Sequence, residues 1–187
     1  MILIKAIVLL SGGIDSSTCI PFYLNLGYEV ECVFCDYGQP AKLAEFNAAK
    51  LVTDYYHVPL KTITTSNIII PSVGEICGRN AMLVLQAYCL TGFGTYKIIL
   101  GIHSGTDYFD CSEVFLRKLN DIIDCYTKGT VYIEAPFLTW SKADIVEYAK
   151  NNNVPLKLTY SCSASSDIPC GKCPSCLERK ALLNESF

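Results

Sequence analysis

The chain has 187 residues, of which 51% are hydrophobic and 18% are charged, and its formal net charge is −3. A chain of this length buries about 70% of the surface that its unfolded form exposes, so it can fold without disulfide bonds. The composition excludes a disordered protein, and the acidic balance counts against nucleic acid as a partner. No apolar run reaches the roughly 20 residues of a membrane helix, and residues 1–10 lack a signal-peptide cleavage site. We therefore expect a soluble cytoplasmic protein with no membrane partner.

Short β-branched runs alternate with helical patterns, which indicates an α/β domain with a parallel sheet and helices on both faces. We expect this domain to span residues 1–155, with a C-terminal segment, residues 156–187, folded against it. The predicted strands are Leu3–Leu10, Glu29–Phe34, Val58–Thr64, Tyr96–Ile102 and Val131–Ala135. The predicted helices are Ser16–Leu26, Ala41–Tyr56, Arg79–Thr91, Glu113–Tyr126, Lys142–Lys150 and Cys176–Leu183. Pro21 falls inside the first helix and predicts a late start, a kink or a break there.

A glycine turn, Ser11-Gly12-Gly13-Ile14-Asp15-Ser16-Ser17, joins the first strand to the first helix. Free N–H groups at a helix N-terminus favour an anion, and glycine lets the backbone approach a phosphate closely. Asp15 would repel bare phosphate, so we interpret it as a helix cap or a Mg²⁺ ligand. The turn is neither a Walker A loop nor a dinucleotide-binding turn. The residues of this segment predicted to belong to the cofactor site are Leu10, Ser11, Gly12, Gly13, Asp15, Ser16 and Ser17.

A second polar segment follows the second strand. Ligands of open α/β sheets lie outside the carboxyl ends of the strands, which predicts that this segment faces a nucleotide. The alternative is a polar turn in which Gly38 has a positive φ. The segment consists of Asp36, Tyr37, Gly38 and Gln39.

The chain contains eleven cysteines in two distinct distributions. Seven are scattered through apolar segments and are interpreted as small buried hydrophobic residues: Cys19, Cys32, Cys35, Cys77, Cys89, Cys111 and Cys125. The other four, Cys162, Cys170, Cys173 and Cys176, have spacings that favour a closed tetrahedral Zn²⁺ site. An iron–sulfur cluster remains the alternative, because a similar spacing opens ferredoxin-type motifs.

The motif SGGIDSS resembles the pyrophosphate loop of the ATP pyrophosphatases. With CDYGQ, Gly78-Arg79-Asn80, GTDY, Asp110-Cys111, WSKAD and CGKCPSC, the resemblance extends over nearly the whole chain to the 7-cyano-7-deazaguanine synthase family, commonly called QueC. It implies an adenine-nucleotide α-hydrolase-like (Rossmann-like) fold with a five-stranded parallel sheet and a zinc-binding tail. It also implies ATP, Mg²⁺ and Zn²⁺ as cofactors, and a homodimer.

By this resemblance, the protein would use ATP and ammonia to convert 7-carboxy-7-deazaguanine to the nitrile. Gly78 and Asn80 would join the nucleotide site. Arg79 and Lys142 would be the cations at the developing charge or the substrate carboxylate, and Asp107 would accept hydrogen bonds from the base. The alternatives are a surface role for Arg79 or Lys142 and a turn cap for Asp107; His103 is interpreted as an ordinary loop or core histidine rather than a base.

One segment departs from the family pattern. After Asp107-Tyr108 the family has Ser-Gly-Tyr-Pro-Asp-Cys-Arg, whereas here Phe109-Asp110-Cys111-Ser112 follows at once. This leaves a second hypothesis, a QueC-like enzyme of a bacterial antiviral system that joins an activated deazaguanine acid to a protein amine. A tRNA-modifying enzyme and a non-enzymatic zinc module are further alternatives.

Overall fold

The computed structural model describes residues 4–71, 75–105, 107–164 and 168–184. Its centre is a five-stranded parallel sheet in the order β3-β2-β1-β4-β5, which confirms the predicted architecture. The predicted start of the first strand, Leu3, lies outside the described residues. The strands are β1 (Lys5–Leu9), β2 (Glu29–Asp36), β3 (Leu60–Thr64), β4 (Tyr96–Ile99) and β5 (Val131–Glu134).

Six helices alternate with the strands along the described part of the chain, in the order that the sequence predicts. They are α1 (Ile14–Asn25), α2 (Lys42–Tyr56), α3 (Arg79–Thr91), α4 (Glu113–Thr127), α5 (Lys142–Asn151) and α6 (Pro174–Leu183). Short 3₁₀ turns occupy Phe109–Cys111 and Leu156–Leu158. Within the described residues, none of these helices has the length and apolarity required to span a bilayer.

The helices cover the sheet with two apolar layers. One layer contains Ala6, Val8 and Phe34 and packs against α1, α2 and α5. The other contains Ile7, Val33 and Ile98 and packs against α3 and α4. Side chains alternate between the two faces along each strand, and because both faces are covered, the strand sequences are almost continuously apolar.

Helix α1 runs unbroken through Pro21, so the predicted late start or break is wrong. The N–H of Ser17 already donates to the carbonyl of Gly13 (3.1 Å), which closes the first turn well before the proline. Proline removes one helical hydrogen bond and crowds the preceding turn. The buried contacts of its neighbours Cys19, Ile20 and Tyr23 stabilise the helix against that cost.

The prediction for the scattered cysteines is only partly correct. Cys19 and Cys32 are buried, and Cys35 and Cys111 are half-buried. Cys77, Cys89 and Cys125 are exposed, because the first precedes α3 and the other two lie on the outer faces of α3 and α4.

Candidate nucleotide site and four-cysteine cluster

The carboxyl ends of β1, β2 and β4 open into one cleft of about 570 Å³. The chain leaves β1 towards β2 on one side, and β4 lies on the other, so this is the switch point at which open α/β sheets bind ligands. The cleft brings together a large part of the predicted site: Leu10, Ser11, Asp15, Ser16, Tyr37, Gln39, Arg79, Asn80 and Lys142 all line it.

The predicted phosphate loop, residues 11–17, is shaped by hydrogen bonds among its own residues. The Ser11 and Ser16 hydroxyls lie 3.0 Å apart, and the N–H of Ser11 donates to the Ser16 hydroxyl (3.2 Å). Gly13 is the N-cap of α1, and no side chain caps the helix. The N-terminus of α1 therefore faces the cleft with polar groups arranged for an anion.

Two glycines allow the loop to pack tightly. Gly12 has φ +78°, and a Cβ there would lie 2.5 Å from the carbonyl oxygen of Glu45. Gly101, just after β4, approaches the same helix end, where a Cβ would lie 2.7 Å from the Ser16 nitrogen. The absence of a side chain at Gly12 thus lets the loop pack closely against α2, and its absence at Gly101 lets the end of β4 pack closely against α1.

Asp15 does not cap α1, so that interpretation is wrong. Its two carboxylate oxygens accept hydrogen bonds from Lys142 Nζ at 2.7 and 2.6 Å. The Asp15 and Lys142 side chains are 20% and 17% exposed, so water screens this pair only partly. Ser141 and Asp144 form a capping box at the start of α5 that fixes the position of Lys142.

The segment after β2 divides into two parts. Asp36 accepts a hydrogen bond from the N–H of Gly38 (2.9 Å), and Gly38 has φ +84°, as expected for the polar-turn alternative. Gln39 is buried, and its side chain bonds to the N–H of Tyr37 (3.0 Å) and to the Glu45 carboxylate (2.9 Å). Tyr37 and Gln39 line the cleft, whereas Asp36 and Gly38 form the turn behind them.

The start of α3 forms another part of the cleft wall. Gly78 is its N-cap with φ +71°, and Arg79 lines the cleft in the first turn, where a cation opposes the helix dipole. Asn80 is buried; its N–H donates to the Asp110 carboxylate (3.2 Å) and its side-chain amide to the Asp110 carbonyl (3.0 Å). Asp110 therefore anchors the helix that carries Arg79.

The predicted base-binding residue Asp107 is exposed and is not part of the cleft lining. Its neighbour Tyr108 lines the cleft, and so does His103. The His103 Nδ1 atom accepts a hydrogen bond from the N–H of Gly105 (3.0 Å), so a neutral ring carries its proton on Nε2. Ser17 is fully buried, and its hydroxyl has no hydrogen-bond partner within the described residues.

Several residues that line the cleft carry no recognisable signal in the sequence. Glu45 comes from α2, and Ser161, Ser175 and Glu178 come from the C-terminal segment. Burial raises the pKa of Glu45, although the hydrogen bond from Gln39 and the charge of Arg79 oppose that rise. Only the N-terminal position of Glu45 in a helix that follows β2 could have indicated its place.

A smaller polar cavity of about 150 Å³ adjoins the cleft. It lies between the phosphate loop and the C-terminal segment, and the two cavities share Ser11, Asp15, Glu45, Lys142, Ser161, Ser175 and Glu178. Gly13, Ile14, Tyr160 and Arg179 complete its lining.

The four sulfur atoms of Cys162, Cys170, Cys173 and Cys176 all lie within 4.8 Å of one another. Four thiolates around a tetrahedral Zn²⁺ ion, at about 2.3 Å each, are about 3.8 Å apart, so the cluster has the right size. Burial raises the pKa of the Cys162 thiol, but hydrogen bonds from the backbone of Cys170 and Ala164 outweigh it and lower the pKa to about 6. The thiolate, which is the form that binds metal, is therefore favoured at Cys162. At Cys176, burial and the hydrogen bond with Cys173 raise the pKa to about 12.

The fold and the phosphate loop define an α/β protein of the adenine nucleotide α-hydrolase-like superfamily. Among solved structures, NMN synthetase from Francisella tularensis superposes with a TM-score of 0.51 at 20% identity, covering 98% of this chain and 78% of that one. A predicted subunit of tRNA methyltransferase from Methanocaldococcus jannaschii gives a TM-score of 0.54 at 15% identity, covering 79% and 75%. These likenesses concern the fold alone.

Sequence comparison is more specific. The family model for "Queuosine biosynthesis protein QueC" matches residues 5–73 and 71–186. The chain is 35% identical to 7-cyano-7-deazaguanine synthase 2 of Desulfitobacterium hafniense, over 94% of this chain and 86% of the relative. It is 32% identical to the 7-cyano-7-deazaguanine synthase of Thermoplasma volcanium, over 98% and 88%. The chain belongs to the QueC family.

Proposed function

We propose that the protein is an ATP-dependent ligase that converts 7-carboxy-7-deazaguanine and ammonia to 7-cyano-7-deazaguanine. The observation that carries this proposal is the placement of the phosphate loop, Arg79 and Lys142 around one cleft in a chain of the QueC family. The named relatives are 7-cyano-7-deazaguanine synthases and match nearly the full chain.

The reaction requires two activations. The substrate carboxylate attacks the α-phosphate of ATP, and pyrophosphate leaves. Ammonia then attacks the acyl carbon; the C–O bond to AMP breaks, a proton is lost, and an amide forms. The amide oxygen attacks the α-phosphate of a second ATP, and a second pyrophosphate leaves. The C–O bond to AMP then breaks, the two remaining N–H protons are lost, and the nitrile forms.

The protein contributes positioning and charge stabilisation. The serines of the loop and the N-terminus of α1 hold the β,γ-phosphates, and Arg79 stabilises the charge that develops on the opposite wall. Mg²⁺, bound with ATP, would neutralise phosphate charge, and Asp15 is its proposed ligand in this chain. Lys142 then exchanges Asp15 for a phosphate or the substrate carboxylate.

The cluster is proposed to hold a structural Zn²⁺, because four thiolates leave no open coordination position. Metal analysis of protein purified without oxygen distinguishes this from the alternative. Zinc without visible absorption supports the proposal, whereas iron, inorganic sulfide and a brown colour would establish an iron–sulfur cluster.

The assembly is proposed to be a homodimer of one α/β domain, residues 1–155, with its tail, residues 156–187, as the family resemblance implies. The exposed face of α3 supports self-association, since Leu85, Cys89 and Leu90 are exposed there and residues 80–91 contain no charge. Light scattering of the purified protein tests this, and a monomer at high concentration would contradict it.

A second candidate function keeps the first adenylation and changes the acceptor to a protein amine. The position of Asp107 outside the cleft favours this candidate, because the described part of the segment expected to hold the base contributes only Tyr108 and Cys111 to the lining. It stops at an amide and uses one ATP for each product.

One assay separates the two candidates. Purified protein is incubated with MgATP, 7-carboxy-7-deazaguanine and ammonium, and AMP and the base are followed by mass spectrometry. Two AMP for each nitrile establish the synthase; AMP or acyl adenylate without nitrile favours the protein acceptor. Absence of AMP would reject the proposed substrate.

A further inference from the structure

The C-terminal segment forms a wall of the nucleotide site. The N–H of Tyr160 donates to the carbonyl of Gly12 at 2.8 Å, so the chain leading to the cluster is hydrogen-bonded to the phosphate loop. Ser161 and Ser175 line both the cleft and the small cavity beside that loop. Each lies next to a buried cysteine of the cluster, Cys162 or Cys176.

A buried cation supports the same wall. Arg179 is 6% exposed and lines the small cavity. Its guanidinium donates to the carbonyls of Thr159 (3.1 Å) and Leu156 (2.8 Å) and to the Ser161 hydroxyl (3.4 Å). It thus fixes Ser161 and places positive charge beside the cavity, where it favours an anion.

The carboxylates on the cavity wall determine which form of phosphate fits. Asp15, Glu45 and Glu178 all line the small cavity. They would repel a bare polyphosphate, whereas a Mg²⁺ complex of ATP brings its own compensating charge. Hydroxyl donors between these carboxylates are therefore suited to the oxygens of MgATP.

We infer that Ser161 and Ser175 bind the phosphates of MgATP opposite the phosphate loop, and that the metal-loaded cysteine cluster holds them in position. This inference rests on the proposed function, since it assigns a role within that nucleotide site. The cluster then does more than attach the tail. Cys162 and Cys176 fix the chain on either side of the cavity, and loss of the metal releases both serines together.

The test measures the dissociation constant of MgATP by calorimetry, together with the metal content of each sample. Ser161→Ala and Ser175→Ala should retain the metal and bind MgATP about 10-fold or more weakly, as expected for the loss of a hydrogen bond to a charged group. Ser66→Ala, an exposed serine that lines neither cavity, is the matched control and should bind like the wild type. Protein stripped by a chelator should lose MgATP binding and regain it when the metal is restored, while circular dichroism reports whether the sheet persists.

Each outcome has a separate meaning. Equal affinity in the wild type and both serine variants would overturn the inference and leave the proposed function intact. Wild-type affinity in stripped, folded protein would overturn the role of the cluster. Failure of the wild type to bind MgATP would overturn the proposed function, and the inference with it.

Discussion

Lys142 Nζ lies 2.6 and 2.7 Å from the two carboxylate oxygens of Asp15, and this ion pair joins the first turns of α1 and α5. Lys142 lines both cavities beside the phosphate loop, so it is one of the cations available to a bound triphosphate. In this structure the loop's own carboxylate holds this lysine. In the proposed function, binding of MgATP would replace Asp15 as the partner of Lys142.

Removal of one member of the Asp15–Lys142 ion pair should affect both the free energy of unfolding and the adenylation rate. Lys142→Met leaves Asp15 partly buried without compensation, and we expect a loss of about 1–3 kcal/mol in the free energy of unfolding. We also expect a fall in the adenylation rate of about 10²–10³, as for the loss of a preorganised charge-stabilising group. Urea unfolding and pyrophosphate exchange measure the two effects.

The double variant Asp15→Asn with Lys142→Met is the control for this prediction. It removes both charges, so its stability should recover relative to Lys142→Met, whereas its adenylation should not. If Lys142→Met unfolds like the wild type, the pair has no structural role.

Gly12 and Gly13 are adjacent but should respond very differently to substitution. At Gly12 the backbone is left-handed, and this alone makes any residue with a Cβ about 1–2 kcal/mol less favourable in the folded state. The overlap of that Cβ with the backbone of Glu45 and Ala49 adds about 1–3 kcal/mol. At Gly13 the φ of −77° suits any residue, and the nearest contact of a Cβ is 3.3 Å, to the Ser11 hydroxyl.

Gly12→Ala should therefore lower the melting temperature clearly and abolish MgATP binding, whereas Gly13→Ala should fold normally. Thermal unfolding and calorimetry check both variants. Equal melting temperatures would show that the loop does not require close contact with α2.

The cysteine cluster predicts which thiols the metal needs. Cys173→Ser should lose the bound metal, because Cys173 Sγ lies 4.0 Å from Cys162 Sγ within the four-sulfur group. Cys125→Ser removes an exposed thiol on α4 and should retain it. Metal content after dialysis decides the matter, and retention of the metal by Cys173→Ser would reject a four-thiolate site.

Local patterns predict the features whose residues are close in the sequence. The apolar runs of the sheet, the turn from Ser11 to Ser17 and the spacing of the four cysteines fall in this class, and the structure brings each set together. Pro21 misled the helix prediction because propensity is overridden by the buried packing of α1.

Residues that come together only through tertiary packing are not marked by any local pattern in the sequence. Glu45 reaches the phosphate loop because α2 packs beside α1, and Ser161 reaches it because the tail folds back to Gly12. Asp107 was assigned to the cleft by resemblance, but the short connection to Phe109–Cys111 leaves it exposed. Loop geometry of this kind depends on the whole chain.

Glu45 should make the stability of the protein depend on pH. Burial raises its pKa above the ordinary value of 4.5, so between these two values the folded state binds a proton that the unfolded state has already lost. Stability contributed by the protonated carboxyl is therefore complete below pH 4.5 and is lost as the pH rises through the raised pKa. Arg79, Tyr37 and Gln39 face this carboxyl, and its hydrogen bond from Gln39 limits the loss.

Glu45→Gln keeps the size of the side chain and an oxygen that accepts the Gln39 hydrogen bond, but it cannot ionise. We expect the variant to gain stability relative to the wild type as the pH rises from 4.5 towards neutrality, because only the wild type must hold a half-buried charge. Urea unfolding of both proteins across this range measures the difference. The control is Glu178→Gln, which alters an exposed glutamate on the wall of the same cavity and should leave the pH dependence of stability unchanged. An equal effect in both variants would assign the pH dependence to the overall charge of the cavity instead of the burial of Glu45.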